Sequence, residues 1–133
     1  MTQFFLTIAA IFGGLSVAGG AFGAHALREK ISDAFGERSY RSLEIFDTGA
    51  RYQMYHALAL LLVAILMSRL ESPPTTLLVS GWLFIIGVVI FSGSLYAISL
   101  TGIKSLGAVA PLGGLALMLG WAALAVAGAT IKF

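Results

Sequence analysis

The chain contains no cysteine. That removes disulfides, thiolate metal sites, Cys-ligated iron–sulfur clusters and thiol nucleophiles together, and it leaves the redox compartment unread. Charge is nearly as scarce: 11% of the 133 residues are Asp, Glu, Lys or Arg, against about 25% in average soluble domains. The few charges are also confined. Ten of the fourteen lie between Arg28 and Arg51, and they cancel: Arg28, Lys30, Arg38, Arg41 and Arg51 stand against Glu29, Asp33, Glu37, Glu44 and Asp47. Nucleic acid requires a clustered basic face, so a neutral segment of mixed sign excludes it as an expected partner. Proline occurs only at Pro73, Pro74 and Pro111, which gives long helices few places to break.

In place of charge the chain has apolar bulk: 59% of it is hydrophobic, with a mean hydropathy of +0.95. Four runs are long enough to cross about 30 Å of hydrocarbon at about 1.5 Å per residue. They cover residues 4–27, 52–68, 75–100 and 105–131. The second is short and can lengthen by starting earlier as a helix that projects from the membrane. The third follows Pro73-Pro74, whose fixed φ suits the first turn of a helix, and Pro111 either starts the straight part of the fourth or kinks it. Ala24-His25-Ala26 looks like a small-residue cleavage site. However, no Lys or Arg precedes the first run and the run exceeds a signal-peptide core, so a retained helix is expected. The fold class read from this pattern is all-α: a single-domain integral membrane four-helix bundle, with the charged segment 28–51 as an amphipathic interfacial piece between the first two helices.

An even number of spans puts both termini on one side. That side carries Arg69 and Lys132, while the other carries six Lys/Arg including Lys104. Counting Lys and Arg alone places the charged segment in the cytoplasm and both termini outside. Within the segment, Tyr40, Leu43, Phe46 and Ala50 recur at helical spacing, and Glu37/Arg41 and Asp47/Arg51 form i,i+4 pairs. This predicts either one helix from about Arg38 straight into the second span or an interfacial helix broken near Thr48-Gly49.

Helices in lipid gain nothing from burying apolar surface against one another, so they associate through small residues and paired polar groups. Sixteen glycines would be costly in soluble helices, at about 1 kcal/mol each relative to alanine. Here Gly14, Gly19, Gly20, Gly23, Gly113 and Gly120, several of them four residues from another small residue, are expected to bring backbones together within one bundle or between copies. Polar residues gather at one end. His25 and His56 lie at similar depths, within about 3 Å of each other along the membrane normal, beside Tyr52, Gln53, Tyr55, Tyr96, Ser99 and Lys104. A clustered polar set in a membrane is a candidate functional site. Three readings compete for it: hydrogen bonds that fasten helices, a site for protons or a polar solute, and a metal or haem held between helices. No carboxylate or further histidine lies at the same depth, so neither a metal nor a cofactor is expected. A Ser-His-Asp hydrolase lacks its G-x-S-x-G turn around Ser92 and Ser94.

Four strings are distinctive: GGAFGAHAL at Gly19 to Leu27, TGARYQMYHALALL at Thr48 to Leu61, FSGSLYAISLTG at Phe91 to Gly102, and LGAVAPLGGLALMLGW at Leu106 to Trp121. In order and spacing they resemble the family of small membrane proteins represented by bacterial YgdD and by transmembrane protein 256 of animals. The resemblance spans essentially the whole chain. It implies a multi-pass bacterial inner-membrane protein and matches His25, Tyr52, Gln53, Tyr55, His56, Ser92, Gly93, Tyr96, Gly102, Pro111, Gly113, Gly114 and Trp121 to the family blocks, but it brings no catalytic residues. The function expected is therefore non-enzymatic. The protein is read as a scaffold or accessory subunit in the lipid bilayer, a homo-oligomer or part of a larger membrane complex. A small transporter or channel using the His/Tyr cluster is the alternative.

Overall fold

The computed structural model describes residues 1–30 and 39–132. Helix α1 (Thr2–Phe22) continues through a π-helical turn at Gly23–Leu27. Helix α2 is Ser39–Arg69 and α3 is Thr75–Thr101. A 3-10 turn at Lys104–Ala108 then leads into α4 (Ala110–Thr130). Among the described residues four helices are long and apolar enough to cross a membrane. The expected all-α four-helix architecture is the observed one.

Each helix boundary has a local cause. Pro74 is extended, with ψ of 147°, immediately before α3, so the missing N–H of proline falls where a helix needs none. At the other end of α3, Gly102 closes the helix with φ of 70° and donates its N–H to the Ile98 carbonyl. That left-handed conformation is open to glycine and costly for residues with a Cβ. Pro111 sits in the first turn of α4, so it starts the straight helix, and the preceding turn winds as 3-10.

Helix α2 runs unbroken through Thr48-Gly49. At 31 residues it is about 46 Å long, well beyond the hydrocarbon thickness. Of the two versions foreseen for the amphipathic segment, the continuous helix is correct and the break near Gly49 is not. Packing removes the reason for a break: Gly49 and Ala50 are both buried, and their carbonyls accept bonds from neighbouring helices. The Asp47–Arg51 pair forms at 2.8 Å. Residues 31–38, and with them the Glu37/Arg41 pair, lie outside the described residues.

The helices pack in chain order, α1 on α2, α2 on α3 and α3 on α4. The core joins Phe5 and Ala9 of α1, Leu60 and Val63 of α2, Phe84 and Val88 of α3, and Leu117 of α4. A second small cluster pairs Leu27, the last residue of the π turn, with Phe46.

Candidate functional site

The polar groups of the spans have few options in hydrocarbon, where an unpaired donor or acceptor is costly. Six bonds between helices answer that need among the described residues. Ser16 donates to the Ala50 carbonyl at 2.6 Å and Ser92 to the Gly49 carbonyl at 2.8 Å, so adjacent carbonyls of α2 hold α1 and α3. Gln53 donates through Nε2 to the Phe12 carbonyl at 2.8 Å and accepts at Oε1 from the Tyr96 hydroxyl at 2.7 Å. One amide thereby ties three helices together. Ser80 donates to the Gly120 carbonyl at 2.9 Å, joining α3 to α4.

His56 carries the sixth bond and is only 6% exposed. The Trp121 indole N–H donates to its Nε2 at 3.1 Å. An accepting Nε2 places the proton on Nδ1, which lies 2.6 Å from the Tyr52 carbonyl and donates to it. Both ring nitrogens are thus occupied in the neutral tautomer. The ring also packs against Phe84 and Tyr52, and Phe84 stands edge-on to Trp121. Beside it a cleft of about 430 Å³, lined by Tyr52, Tyr55, Met118 and Trp121 among others, opens between α2 and α4.

The predicted polar set therefore separates. Gln53, His56 and Tyr96 belong to the interhelical network, and Tyr52 joins it through its carbonyl. Tyr55 is exposed on the wall of the cleft. Ser99 is buried but donates to the Tyr96 carbonyl of its own helix. His25 is exposed on the π turn of α1 and Lys104 is exposed on the loop after α3. His25 and His56 do not share a site, although their depths agree, because depth leaves azimuth undetermined: His56 faces α4, whereas α1 packs on the side of α2 that presents Ala50 and Gln53. Among the described residues no group of three or more His, Asp or Glu is placed to hold a metal ion.

The glycines separate as well. A Cβ at Gly113 would stand 2.4 Å from the Phe91 backbone nitrogen, a true backbone approach of α4 to α3. At Gly120 it would strike the Phe84 ring at 2.8 Å, and at Gly23 the Phe46 ring at 3.1 Å. Gly19 lies more loosely against Phe46, whereas a Cβ at Gly14 or Gly20 would meet nothing within 4 Å among the described residues. Equally tight positions absent from the sequence reading are Gly81 against Phe5, Gly87 against Leu117 and Gly49 against Tyr96. The common device is a glycine opposite a large side chain. Which ring meets which glycine depends on helix pairing, so no local signal identifies these partners. Ser16, Ser80 and Ser92 were not read as interhelical donors, since a serine in a helix can bond its own preceding turn.

Comparison with known proteins completes this picture. A family model described as "Protein of unknown function (DUF423)" matches residues 19–114. The chain belongs to this family. It is 45% identical to the UPF0382 membrane protein YwdK of Bacillus subtilis, over 92% of this chain and 94% of that one. It is 40% identical to the UPF0382 membrane protein SAB0533 of Staphylococcus aureus, over 98% of both chains. No solved structure gives a significant match. Together with the four spans, these relatives make the protein a multi-pass member of the bacterial inner-membrane complement. The family's matched stretch covers the π turn, all of α2 and α3, and the start of α4.

Proposed function

We propose that the protein is a non-enzymatic membrane scaffold, a rigid four-helix unit that binds a second copy of itself through the outward face of α1. One observation carries this reading: Gln53, His56 and Tyr96 are committed to internal bonds, while the open small residues of α1 meet no partner among the described residues. Among the described residues, a Cβ at Gly13, Gly14 or Gly20 would meet nothing within 4 Å. Three of the residues of α1 are buried, Phe5, Ala9 and Ser16. A glycine surface facing lipid forgoes side-chain contact with the acyl chains, and another helix can approach it closely. The cytoplasmic placement of the charged segment, with both termini outside, belongs to the same proposal and rests on the Lys/Arg count.

The test fills the face. Gly14→Leu with Ala18→Leu, exposed one turn apart on the same side of α1, should convert an oligomer to monomer by mass in lipid nanodiscs, with the melting temperature of the unit held within a few degrees. An assembly of unchanged mass would reject α1 as the contact. The transport reading is second and rests on the cleft beside His56. It requires that His56→Gln, once shown to be folded, abolish solute or proton flux in proteoliposomes.

A further inference from the structure

Where α2 projects past the hydrocarbon, its first turns lie beside the end of α3 and the following loop. Between them is a recess of about 730 Å³. Arg41 and Ser42 line it from α2, Ile98 and Thr101 from α3, and Lys104 from the loop, with Ile45 completing the apolar wall. Gly102 creates this arrangement. Its left-handed turn ends α3 abruptly and brings Lys104 back to the recess that Arg41 lines.

The chemistry of the lining is specific. Two cations stand at the rim, and among the described residues neither takes part in an ion pair. The Ser42 hydroxyl adds a donor. The Thr101 hydroxyl is already used, donating to the Ala97 carbonyl and accepting from the Ile103 N–H. Two cations and a hydroxyl around one recess suit a phosphate group, since Arg and Lys are strong donors to anionic oxygen. The wall below is apolar, with Ile45 and Ile98 half-buried. Around it Leu100, Ile103 and Val109 are exposed, so acyl chains can lie against the same surface. A free anion gains nothing from that apolar wall.

We propose that this recess binds the phosphate headgroup of an anionic phospholipid, with Arg41 and Lys104 at the phosphate and the acyl chains along Ile45 and Ile98. Basic recesses between helices at a membrane surface are suited to such headgroups, and each cation near the surface contributes about 1 kcal/mol, or about fivefold in affinity.

The test uses the full chain in detergent, titrated with phosphatidylglycerol or with phosphatidylcholine of the same chains, with bound lipid counted by native mass spectrometry. The wild type should prefer phosphatidylglycerol. R41Q/K104Q should reduce that preference about 25-fold, the product of two fivefold losses. K104Q alone, on the exposed loop, should give about a fivefold loss and guards against a double variant that fails to fold. R28Q/K30Q removes two charges from the same end but outside the recess, and should keep the preference. Retention by R41Q/K104Q and K104Q, or an equal loss in R28Q/K30Q, would overturn the assignment. Displacement of the lipid by equimolar inorganic phosphate would overturn the lipid as the source of the phosphate.

Discussion

Gln53 is the residue on which most of the interior converges, because one amide serves as donor to α1 and acceptor from α3. Gln53→Leu keeps the volume roughly constant and strands the Tyr96 hydroxyl. In a membrane such bonds are worth about 0.6 kcal/mol on average and at most about 1.7, and stranding a buried group costs more than replacing both partners. We expect Gln53→Leu to lower unfolding free energy by about 1 kcal/mol. The double variant with Tyr96→Phe should be less destabilised than the sum of the two, as a double-mutant cycle in bicelles would measure. The two histidines should behave differently. His56→Leu leaves the Trp121 N–H without its acceptor and should lower the melting temperature, while His25→Gln, on an exposed position, should leave it unchanged.

These residue-level differences also mark how far sequence reasoning reached. Hydropathic runs identify the spans because membrane crossing constrains length and composition directly. The polar end of the bundle was legible too, since Tyr52, Gln53 and His56 stand out in an apolar helix. The pairing was not. Helical periodicity fixes which residues share a face, but not which neighbouring helix that face meets. His25 therefore read as a partner of His56, and Trp121, whose indole completes the histidine's bonding, was known only as a position shared with the family.

At the scale of the element, α3 and α4 are held by a direct backbone approach at Gly113 and Phe91. Adding a methyl there meets backbone, which cannot rotate away as a side chain can. Gly113→Ala should cost about 1–3 kcal/mol, the range for overpacking, whereas Gly14→Ala should be neutral or slightly stabilising through helix propensity. Thermal unfolding of the pair in one detergent compares them directly. Gly102 sets the other element-scale expectation. Gly102→Ala at φ of 70° should cost about 1–2 kcal/mol, and by displacing Lys104 it should also weaken the preference for anionic lipid.

For the whole molecule, the structure divides its resources in two. Serines, Gln53, His56 and Trp121 hold four helices as one body, and tight glycines let rings and backbones close together. What remains outward is an α1 surface with open glycines and a basic recess at the membrane boundary. A body built this way offers surfaces to partners and lipids more readily than a route through its own interior. The continuous α2 adds to that view, because it holds Arg41, Glu44, Asp47 and Arg51 on the same unbroken helix as the second span.

The absence of native cysteine makes the central claim open to a clean test by cross-linking in intact bacterial membranes. A disulfide forms only when two Cα atoms come within about 7 Å. Gly14→Cys places a single thiol on the open face of α1, and Met118→Cys places one on α4 at a side chain 63% exposed. With a lipid-soluble oxidant, the scaffold account predicts a covalent dimer from Gly14→Cys and monomer from Met118→Cys. Monomer from both, or dimer from Met118→Cys alone, would contradict it.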